Sequence, residues 1–583
     1  MKSMTILSSQ HLPSPMLRFD YAIQTQISAT PFDGFRRWGP YDKNQRRKTS
    51  IRCAVLYPFW ATQEMRKLRE AFTQGMFYFR GFQRFTHGIS IQNFEAIPIQ
   101  LRESTPLHEQ AQAYKDVITE LSVEQQYDIV FAVIPYSPRY MLESPYYTAK
   151  LELAAHGIPC QLVTAQLLRS DESLKWSLAN AAMQVYAKLG NVPWVVETPN
   201  QPNDLIIGVG QRLIRSGRIG SMKRFMSFTT AYKNNGAFLT FQGIAGTGIE
   251  DDYLQQLSKA VEGGLVAHRT VQSKRGLSAL DPDRVIFHTF KKVSAGEIEA
   301  IEEGIKAGSY NGQLLPYALI HIDGSNNFLS FDRDSNTFLP QSGHTVWLGP
   351  LQALLLTEGR ERYDHRKLGF PSPLAVRLDS RSSLGNEDFA ELFPSLISQI
   401  YGLSKVNWRG FNAAAIPVTL GYSRLIADLI SSCRNPELWT AIAQSGGLRD
   451  KAWFFMTGAS NTLDLRSVHD QIHNLVLSRR RGVAIWENRF ETAWAGSILA
   501  RHRVENRQEE IINSIKGTIL GEDRITTIST PSDLAACYMM AVFLHSIGVV
   551  EDAIEYIRMA ELFVQNNIFE IDQNERFHFY STN

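Results

Sequence analysis

The stretch Asp204–Gln211, which reads DLIIGVGQ, decides how the rest of the chain is interpreted. A short apolar run closed by Gly208-Val209-Gly210 is typical of a buried strand that enters a turn. Similar strand and helix patterns lie on both sides of it, at residues 188–199, 284–292, 316–324 and 415–430. We therefore predict that Asp204–Gln211 is a buried strand of a larger α/β arrangement.

The composition is that of a globular protein with several domains. A chain of 583 residues corresponds to roughly three or four domains. The net charge of +2 means that any nucleic-acid site must be a local basic groove. The four cysteines are far apart, which disfavours a disulfide framework or a Cys-rich zinc site and fits a reducing cytoplasm. Because neither an apolar run of membrane-spanning length nor a secretory signal is present, we expect a cytoplasmic protein without a membrane partner.

The first 50 residues are polar and rich in turns, and they contain a loose basic cluster that includes Arg36 and Arg46. We expect a connecting arm that is solvated or that touches a nucleic-acid backbone. From Ile51 onwards, strand and helix patterns alternate, with candidate strands at residues 51–59, 127–135 and from Cys160. This alternation predicts a parallel, doubly wound sheet.

Two of the predicted helices carry polar side chains at a helical spacing. Tyr146 and Lys150 are four residues apart, and Asn180, Gln184 and Lys188 repeat the same spacing on a later helix. A helix N-terminus with convergent donors suits a phosphate group, because the amides and a lysine both attract negative charge. Taken alone, each set fits the polar face of an ordinary amphipathic helix better than a phosphate site.

Taken together and in this order, the segments from about Ile51 to Ile430 resemble the MID and PIWI domains of a short prokaryotic Argonaute. The most specific part is the closing segment 396–422, in which Lys405, Asn407, Trp408 and Arg409 match the family. The resemblance implies an α/β fold, with an arm at 1–50, a Rossmann-like MID domain at 51–202 and an RNase H-like PIWI domain at 203–432. Residues 433–583 lack this resemblance, and their helical patterns predict an all-α domain that acts as an interaction platform.

The resemblance also assigns a pocket for the 5′-phosphate of a guide strand to Tyr146, Lys150, Gln161 and Lys188. Tyr146 is expected to stack on the first guide base, and the other three side chains are expected to hold the phosphate. Argonautes often place a divalent metal between this phosphate and their C-terminal carboxylate. Here the chain continues for about 150 residues past Ile430, so we expect the terminus not to reach the pocket. No cofactor is therefore certain, and Mg²⁺ beside the guide 5′-phosphate is the one candidate.

The slicing site of the family can be followed position by position. Slicing needs carboxylates that hold two metal ions across the scissile phosphate. The first Asp position falls on Gly210, the second is aligned on Asp323, and the last falls on Arg424. Asp323 is equally explained by an Asp-Gly turn, and a lone carboxylate cannot assemble a two-metal site. We therefore expect a degenerate site without catalytic residues or a catalytic metal.

A basic stretch follows the missing Asp directly. Arg212, Arg215 and Arg218 come within eight residues of Gly210 and predict contact with a nucleic-acid backbone. The alternative is the solvated face of a helix.

The function that the resemblance implies is guide-directed binding in prokaryotic defence. A small guide RNA would capture complementary single-stranded DNA without slicing it and would activate an APAZ-containing partner with a nuclease, TIR or sirtuin-like effector. Two alternatives stay open. The C-terminal domain could itself be a ribonuclease that uses Arg466 and His473, which would make the chain a self-contained guided enzyme. The chain could also be a structural subunit that never loads a guide.

Overall fold

The computed structural model describes most of the first 431 residues and two short segments near the C-terminus. The described residues are 7–45, 48–124, 127–137, 143–198, 202–215, 222–243, 250–274, 280–326, 328–332, 335, 337–361, 371–385, 388–412, 414–431, 438, 567–571 and 577–581. The chain divides into two compact units, the first comprising Met1–Tyr363 with Pro371–Ser460 and the second Asp364–Phe370 with Asn461–Asn583.

The N-terminal part of the first unit contains eight strands and seven α-helices among the described residues. In chain order they are β1 (Ser9–His11), β2 (Leu17–Arg18), β3 (Ile27–Ser28), α1 (Pro31–Trp38), β4 (Ser50–Pro58), α2 (Thr62–Thr73), α3 (Phe82–Phe85), β5 (Ser90–Ile99), α4 (Leu107–Glu124), β6 (Ile129–Ile134), α5 (Pro145–Ala155), β7 (Cys160–Thr164), α6 (Ala165–Arg169), α7 (Asp171–Lys188) and β8 (Val195–Val196).

Four of these strands form a parallel sheet in the order β5-β4-β6-β7. All six residues of β6 are buried, because apolar clusters cover the sheet on both faces. Phe131 packs into one cluster, whereas Val130 and Ala132 pack with Tyr114 of α4 into the other. The predicted parallel, doubly wound sheet is confirmed.

The remainder of the first unit, as far as it is described, contains eight strands and four helices. They are β9 (Leu205–Arg215), β10 (Met222–Lys233), β11 (Phe238–Gly243), α8 (Glu250–Lys274), β12 (Val285–Thr289), α9 (Ala295–Gly308), β13 (Tyr317–Asp323), β14 (His344–Gly349), β15 (Gln352–Leu355), β16 (Leu374–Leu378), α10 (Phe389–Ser404) and α11 (Val418–Ser431).

These strands and β1 form a nine-stranded mixed sheet in the order β1-β14-β15-β16-β13-β12-β9-β10-β11. The strand that contains the DLIIGVGQ stretch, β9, pairs parallel to β12 and antiparallel to β10. Leu205, Ile206 and Ile207 are fully buried, which confirms the predicted buried strand. The predicted turn at Gly208-Val209-Gly210 is wrong, because pairing with β10 carries the strand through these residues to Arg215. Successive side chains of β9 face opposite helices: Ile207 lies near Gly264 of α8, and Gly208 lies against Thr419 of α11.

The expectation of a solvated N-terminal arm is wrong for much of residues 7–45. Leu17, Phe19 and Phe35 are buried in the core of the first unit. The strands β2 and β1 pair with β8 and β14, so the arm completes two sheets. Polar turn residues separate these apolar residues along the chain, so the sequence shows no apolar periodicity that would predict their burial. The exposed Arg36 belongs to the predicted basic cluster, whereas Arg46 lies outside the described residues.

Most of the predicted all-α domain at 433–583, including Arg466 and His473, lies outside the described residues. The strands β17 (Asn567–Ile571) and β18 (Phe577–Ser581) form an antiparallel pair. The prediction of a wholly helical segment is therefore wrong for these ten residues, whose isoleucine and aromatic content favours strands. Among the residues that the structure describes, no helix is long and apolar enough to cross a membrane.

Candidate nucleic-acid interface

Two buried lysines lie beside the first residues of β7. Lys150 of α5 is 4% exposed, and Lys188, the last residue of α7, is 1% exposed. The Lys188 Nζ donates to the carbonyl oxygen of Cys160 at 2.8 Å and to the Oε1 of Gln161 at 2.7 Å. Gln161 is itself buried. The fold thus brings together the three residues predicted to hold a guide phosphate.

The electrostatics of this cluster favour an anion. Burial lowers the pKa of Lys150 to about 8, and the positive charge of Arg409 also lowers the pKa. Burial lowers the pKa of Lys188 well below its usual range, and repulsion from Lys150 adds to the effect. No carboxylate forms an ion pair with Lys188 within the described part of the chain. Two lysine ammonium groups out of water and close to each other are stabilised by a bound anion.

The third cation, Arg409, comes from the loop between α10 and α11, and α7 holds this loop in place. The Gln184 Nε2 donates to the Arg409 carbonyl oxygen at 2.6 Å. The Asn180 Oδ1 accepts a hydrogen bond from the Phe411 amide at 3.2 Å. The polar stripe of α7 therefore has a structural use, because Asn180 and Gln184 bind the loop while Lys188 reaches the cluster. Arg409 was predicted as a residue of family resemblance and not as a site residue, since no local pattern links it to a helix more than 200 residues earlier.

Tyr146 lies on the first turn of α5, and Ser144 directly precedes the helix. Tyr146 is half-buried, and its ring packs edge-on against Tyr147 with ring centroids 5.1 Å apart. Ser144 is the N-cap residue of α5 by position, but its fully buried Oγ has no hydrogen-bond partner among the described residues. The buried Oε1 of Gln184 also has no hydrogen-bond partner among the described residues. Buried polar atoms are nearly always paired, so both atoms are suited to a polar ligand or water.

The position of the first slicing carboxylate is closed by packing. Gly210 is buried in β9, and a Cβ atom built on it would lie 2.7 Å from both the Cβ and the Oγ of Ser423. A Cβ atom on Gly208 would lie 2.1 Å from the carbonyl oxygen of Thr419. The two glycines therefore allow α11 to lie directly on β9, in the space that a side chain at position 210 would need.

The structure does not bring Asp323 to Gly210. The strand β12 lies between β9 and β13, and its register pairs Gly208 with His288 and His288 with Ile320. Because side chains alternate along a strand, Asp323 faces the side opposite to Gly210. The Asp323 Oδ1 accepts a hydrogen bond from the Ser325 amide at 2.7 Å, which is the turn role considered for it.

The neighbour of Gly210 at the end of β12 is an apolar residue. Val209 pairs with Thr289, the last residue of β12, so the residue that follows on the side of Gly210 is Phe290. Phe290 is partly buried against the core. Arg424 is exposed on α11, directly after Ser423. Neither Gly210 nor Phe290 nor Arg424 supplies a carboxylate. In the described segments, no group of three or more His, Cys, Asp or Glu suited to a metal occurs.

The basic stretch after Gly210 starts on a strand, so the alternative of a helix face is wrong for its first two arginines. Arg212 pairs with Phe225, and Arg215 pairs with Met222. Their side chains and the whole of Arg218 lie outside the described residues, so the predicted contact with a nucleic-acid backbone stays a prediction.

The residues around the lysine cluster do not fit a Mg²⁺ ion. Lys150, Lys188 and Arg409 offer nitrogen donors, which repel a divalent cation when protonated, whereas Mg²⁺ prefers oxygen ligands with carboxylates among them. A phosphate fits this donor set without a metal, because lysine and arginine bind phosphate by charge-assisted hydrogen bonds.

A parallel sheet and a mixed RNase H-like sheet, with a basic pocket between α5, α7 and the Arg409 loop, define the architecture of a MID–PIWI protein. A sequence profile of the Piwi domain matches residues 138–434, which is just over half of the chain. The chain therefore belongs to the Piwi domain family of prokaryotic-type Argonautes.

Curated relatives support this membership. An argonaute protein of Cereibacter sphaeroides is 23% identical over 443 residues, which cover 72% of this chain and 56% of the relative. A Piwi protein of Archaeoglobus fulgidus is 26% identical over 316 residues, covering 52% of this chain and 70% of the relative. The chain thus spans little more than half the length of the Cereibacter protein.

Solved structures share the fold. Clostridium butyricum Argonaute, solved with a guide DNA and a 19-mer target DNA, aligns with a TM-score of 0.54 at 20% identity, covering 73% of this chain and 53% of that one. Drosophila Piwi aligns with a TM-score of 0.54 at 16% identity, covering 77% of this chain and 56% of that one.

Proposed function

We propose that this protein binds a small nucleic-acid guide through the guide's 5′-phosphate and uses base pairing to capture a complementary strand. The observation that carries the proposal is the convergence of Lys150, Lys188 and Arg409 on one buried site, where burial and, to a lesser extent, the charge of Arg409 lower the pKa of both lysines. A terminal phosphate brings about −1.5 to −2 charges and three acceptor oxygens, which match these donors. Tyr146, on the first turn of α5, stacks on the first guide base and tolerates any base.

The guide is RNA and the target is single-stranded DNA in this proposal, as the resemblance to short prokaryotic Argonautes implies. The Clostridium relative was solved with a guide DNA and a target DNA. The binding assays therefore include guides of both chemistries. Sequence reading is left to base pairing, while the protein binds the backbone.

The protein does not slice its target. Gly210 offers no carboxylate and has no room for one beside Ser423, and its neighbour on β12 is Phe290. A two-metal cleavage site needs several carboxylates around the scissile phosphate. Target capture instead activates an APAZ-containing effector protein in the cytoplasm, as part of prokaryotic immunity.

The decisive experiment measures the affinity for short guides that carry either a 5′-phosphate or a 5′-hydroxyl. Lys150→Met with Lys188→Met retains side-chain volume but removes both charges, and Lys306→Ala on the exposed face of α9 is the matched control. The phosphate should strengthen binding at least tenfold in the wild type and in the control, and the double variant should lose this gain. Equal affinity for both guides in the wild type would refute the proposal.

A second experiment addresses the partner. The tagged protein is purified from its native host, the bound proteins are identified and the bound nucleic acid is end-labelled with and without phosphatase. End-phosphorylated short guides together with a stoichiometric second protein are expected. Nucleic acid that co-purifies without a second protein would refute the proposed effector partner but not the proposed guide binding.

A further inference from the structure

A tight turn on the parallel-sheet side of the first unit displays two aromatic side chains. Met76 and Phe79 pair across the turn through two backbone hydrogen bonds of 2.9 and 3.0 Å. Phe77 and Tyr78 at the tip are 49% and 77% exposed. Phe77 has a φ of 57°, a left-handed conformation that bulky residues rarely adopt. Strain of this kind, used to expose apolar rings, indicates a role outside the packing of the fold.

A third aromatic residue faces this turn across a lysine. Trp176, near the start of α7, is 63% exposed, and its Nε1 donates to the Glu172 Oε1 at 2.7 Å. The Lys175 Nζ lies 5.4 Å from the centre of the Tyr78 ring and 4.9 Å from the centre of the Trp176 ring. Both rings therefore lie close to one ammonium group. We call Phe77, Tyr78, Lys175 and Trp176 the aromatic surface.

Basic side chains outnumber acidic ones at the aromatic surface, where Glu172 is the carboxylate in contact, 3.8 Å from the Lys175 Nζ. Arg80 and Arg84, which follow the turn, are exposed, and neither forms an ion pair with any carboxylate that the structure describes. The exposed large apolar residues of residues 59–85 and 165–180 are all aromatic: Phe59, Phe77, Tyr78 and Trp176. Aromatic rings interleaved with arginine and lysine are typical of surfaces that stack the bases of single-stranded nucleic acid. Lysine, which lies close to two of the rings here, is depleted in the cores of protein interfaces.

We propose that the aromatic surface binds single-stranded nucleic acid by base stacking and that, in the guided complex, the strand it takes is the unpaired 3′ flank of the target. The second part rests on the proposed function. Paired strands are antiparallel, so the target leaves the duplex in its 3′ direction beside the guide 5′-phosphate at Lys188. Along α7, Trp176 lies about 18 Å from Lys188 at 1.5 Å per residue. At about 3.4 Å per stacked nucleotide, this distance corresponds to roughly five unpaired nucleotides.

The experiment compares two targets for the guide-loaded protein. One target ends at the nucleotide opposite the guide 5′ end, and the other continues with a flank of about ten unpaired thymidines on its 3′ side. The variant is Tyr78→Ala with Trp176→Ala, and the matched control is Tyr310→Ala, which removes a 76% exposed ring from a different part of the first unit. Tyr78→Phe with Trp176→Phe keeps the stacking surface.

In the wild type, the flank should strengthen target binding about tenfold. The double alanine variant should lose this gain but bind the flankless target and the guide as before, and the phenylalanine variant should retain most of the gain. A flank effect that persists in the double alanine variant, or loss of a co-purified protein without any change in the flank effect, would overturn the proposal. Failure to bind the flankless target with the wild-type protein would instead refute the guided function and is measured separately.

Discussion

Gly210 of β9 lies against Ser423 of α11 so closely that a Cβ atom at position 210 would be 2.7 Å from the serine Oγ. The position predicted for the first slicing carboxylate therefore lacks a carboxylate and is covered by a helix. Restoring the missing carboxylate by a single substitution conflicts with this packing.

We predict that Gly210→Asp does not restore target cleavage and destabilises the protein. The new side chain must displace α11, and overpacking of this kind costs about 1–3 kcal/mol in the free energy of unfolding. Chemical denaturation and a cleavage assay with Mg²⁺ or Mn²⁺ check this prediction. Gly210→Ala is the control, because it tests the steric conflict without adding a charge. Cleavage by Gly210→Asp that depends on the metal would contradict it.

Asp323→Ala should leave guide and target binding unchanged. The carboxylate faces away from Gly210 and accepts the Ser325 amide in a turn, so its loss is expected to cost only about 1 kcal/mol of stability. The check is a filter-binding assay together with thermal unfolding. A wild-type cleavage activity that disappears in this variant would show that the sheet register has been misread.

Lys150→Met should have opposite effects on stability and on guide binding. The pKa of Lys150 is lowered from 10.5 to about 8 mainly by burial, which corresponds to a cost of about 3–4 kcal/mol for keeping this side chain charged in the folded protein. Removing the charge should therefore raise the free energy of unfolding at pH 7. It should also weaken the binding of 5′-phosphorylated guides by about 10- to 100-fold. A variant that binds normally, or that is less stable in denaturant titrations, would argue against a phosphate pocket at Lys150.

The same pKa shift predicts opposite pH slopes for stability and for guide affinity. Between pH 8 and 10.5 the unfolded chain holds a proton that the folded chain has lost, so the stability conferred by this group rises with pH in that window. The guide phosphate prefers the protonated lysine, so the affinity for a 5′-phosphorylated guide should fall above pH 8, by up to about tenfold per unit. Lys188 is shifted in the same direction and adds to both slopes.

Calorimetric titration at pH 8 in two buffers of different ionisation enthalpy measures this linkage. Proton uptake on binding a 5′-phosphorylated guide is expected, and a 5′-hydroxyl guide provides the reference. Lys150→Met should reduce the uptake. Proton release, or no proton transfer with the wild type, would be incompatible with a lowered lysine pKa in the binding site.

Gln184→Ala should weaken guide binding although its amide group binds the Arg409 carbonyl oxygen and not a lysine of the pocket. Loss of that hydrogen bond, worth about 1 kcal/mol, frees the loop that presents the Arg409 guanidinium. The effect should be about fivefold and should be strongly reduced in the presence of Arg409→Ala, because both changes act on one loop. Ser177→Ala on the same helix is the control. Additive losses in this double-mutant cycle would show that Gln184 acts independently of Arg409.

A buried ion pair at the base of the mixed sheet provides a test of the fold itself. The Asp204 carboxylate accepts hydrogen bonds from the Arg284 Nε at 2.9 Å and from the Gln399 Nε2 at 3.1 Å. Arg284→Met leaves the carboxylate buried without its cation and should cost about 3–5 kcal/mol in urea unfolding. Adding Asp204→Leu should recover much of that loss. A single variant as stable as the wild type would mean that the pair is not buried.

The sequence by itself determined the local elements and the chemistry of the lysines. The apolar run before Gly208 identifies a buried strand, and the Ser144-Pro145 pair marks a helix start, because burial and capping leave a signature within a few residues. The resemblance placed Lys150, Gln161 and Lys188 in one pocket, and the fold brings them together.

Only the tertiary structure decided which distant residues meet. The approach of Arg409 depends on hydrogen bonds from a helix more than 200 residues earlier, and the closure of Gly210 depends on how α11 crosses β9. Asp323 fails to face Gly210 because side chains alternate along a strand, so one residue of register moves a carboxylate to the other face of the sheet. Sequence periodicity defines one face of one element, whereas strand order and helix packing fix the contacts between elements.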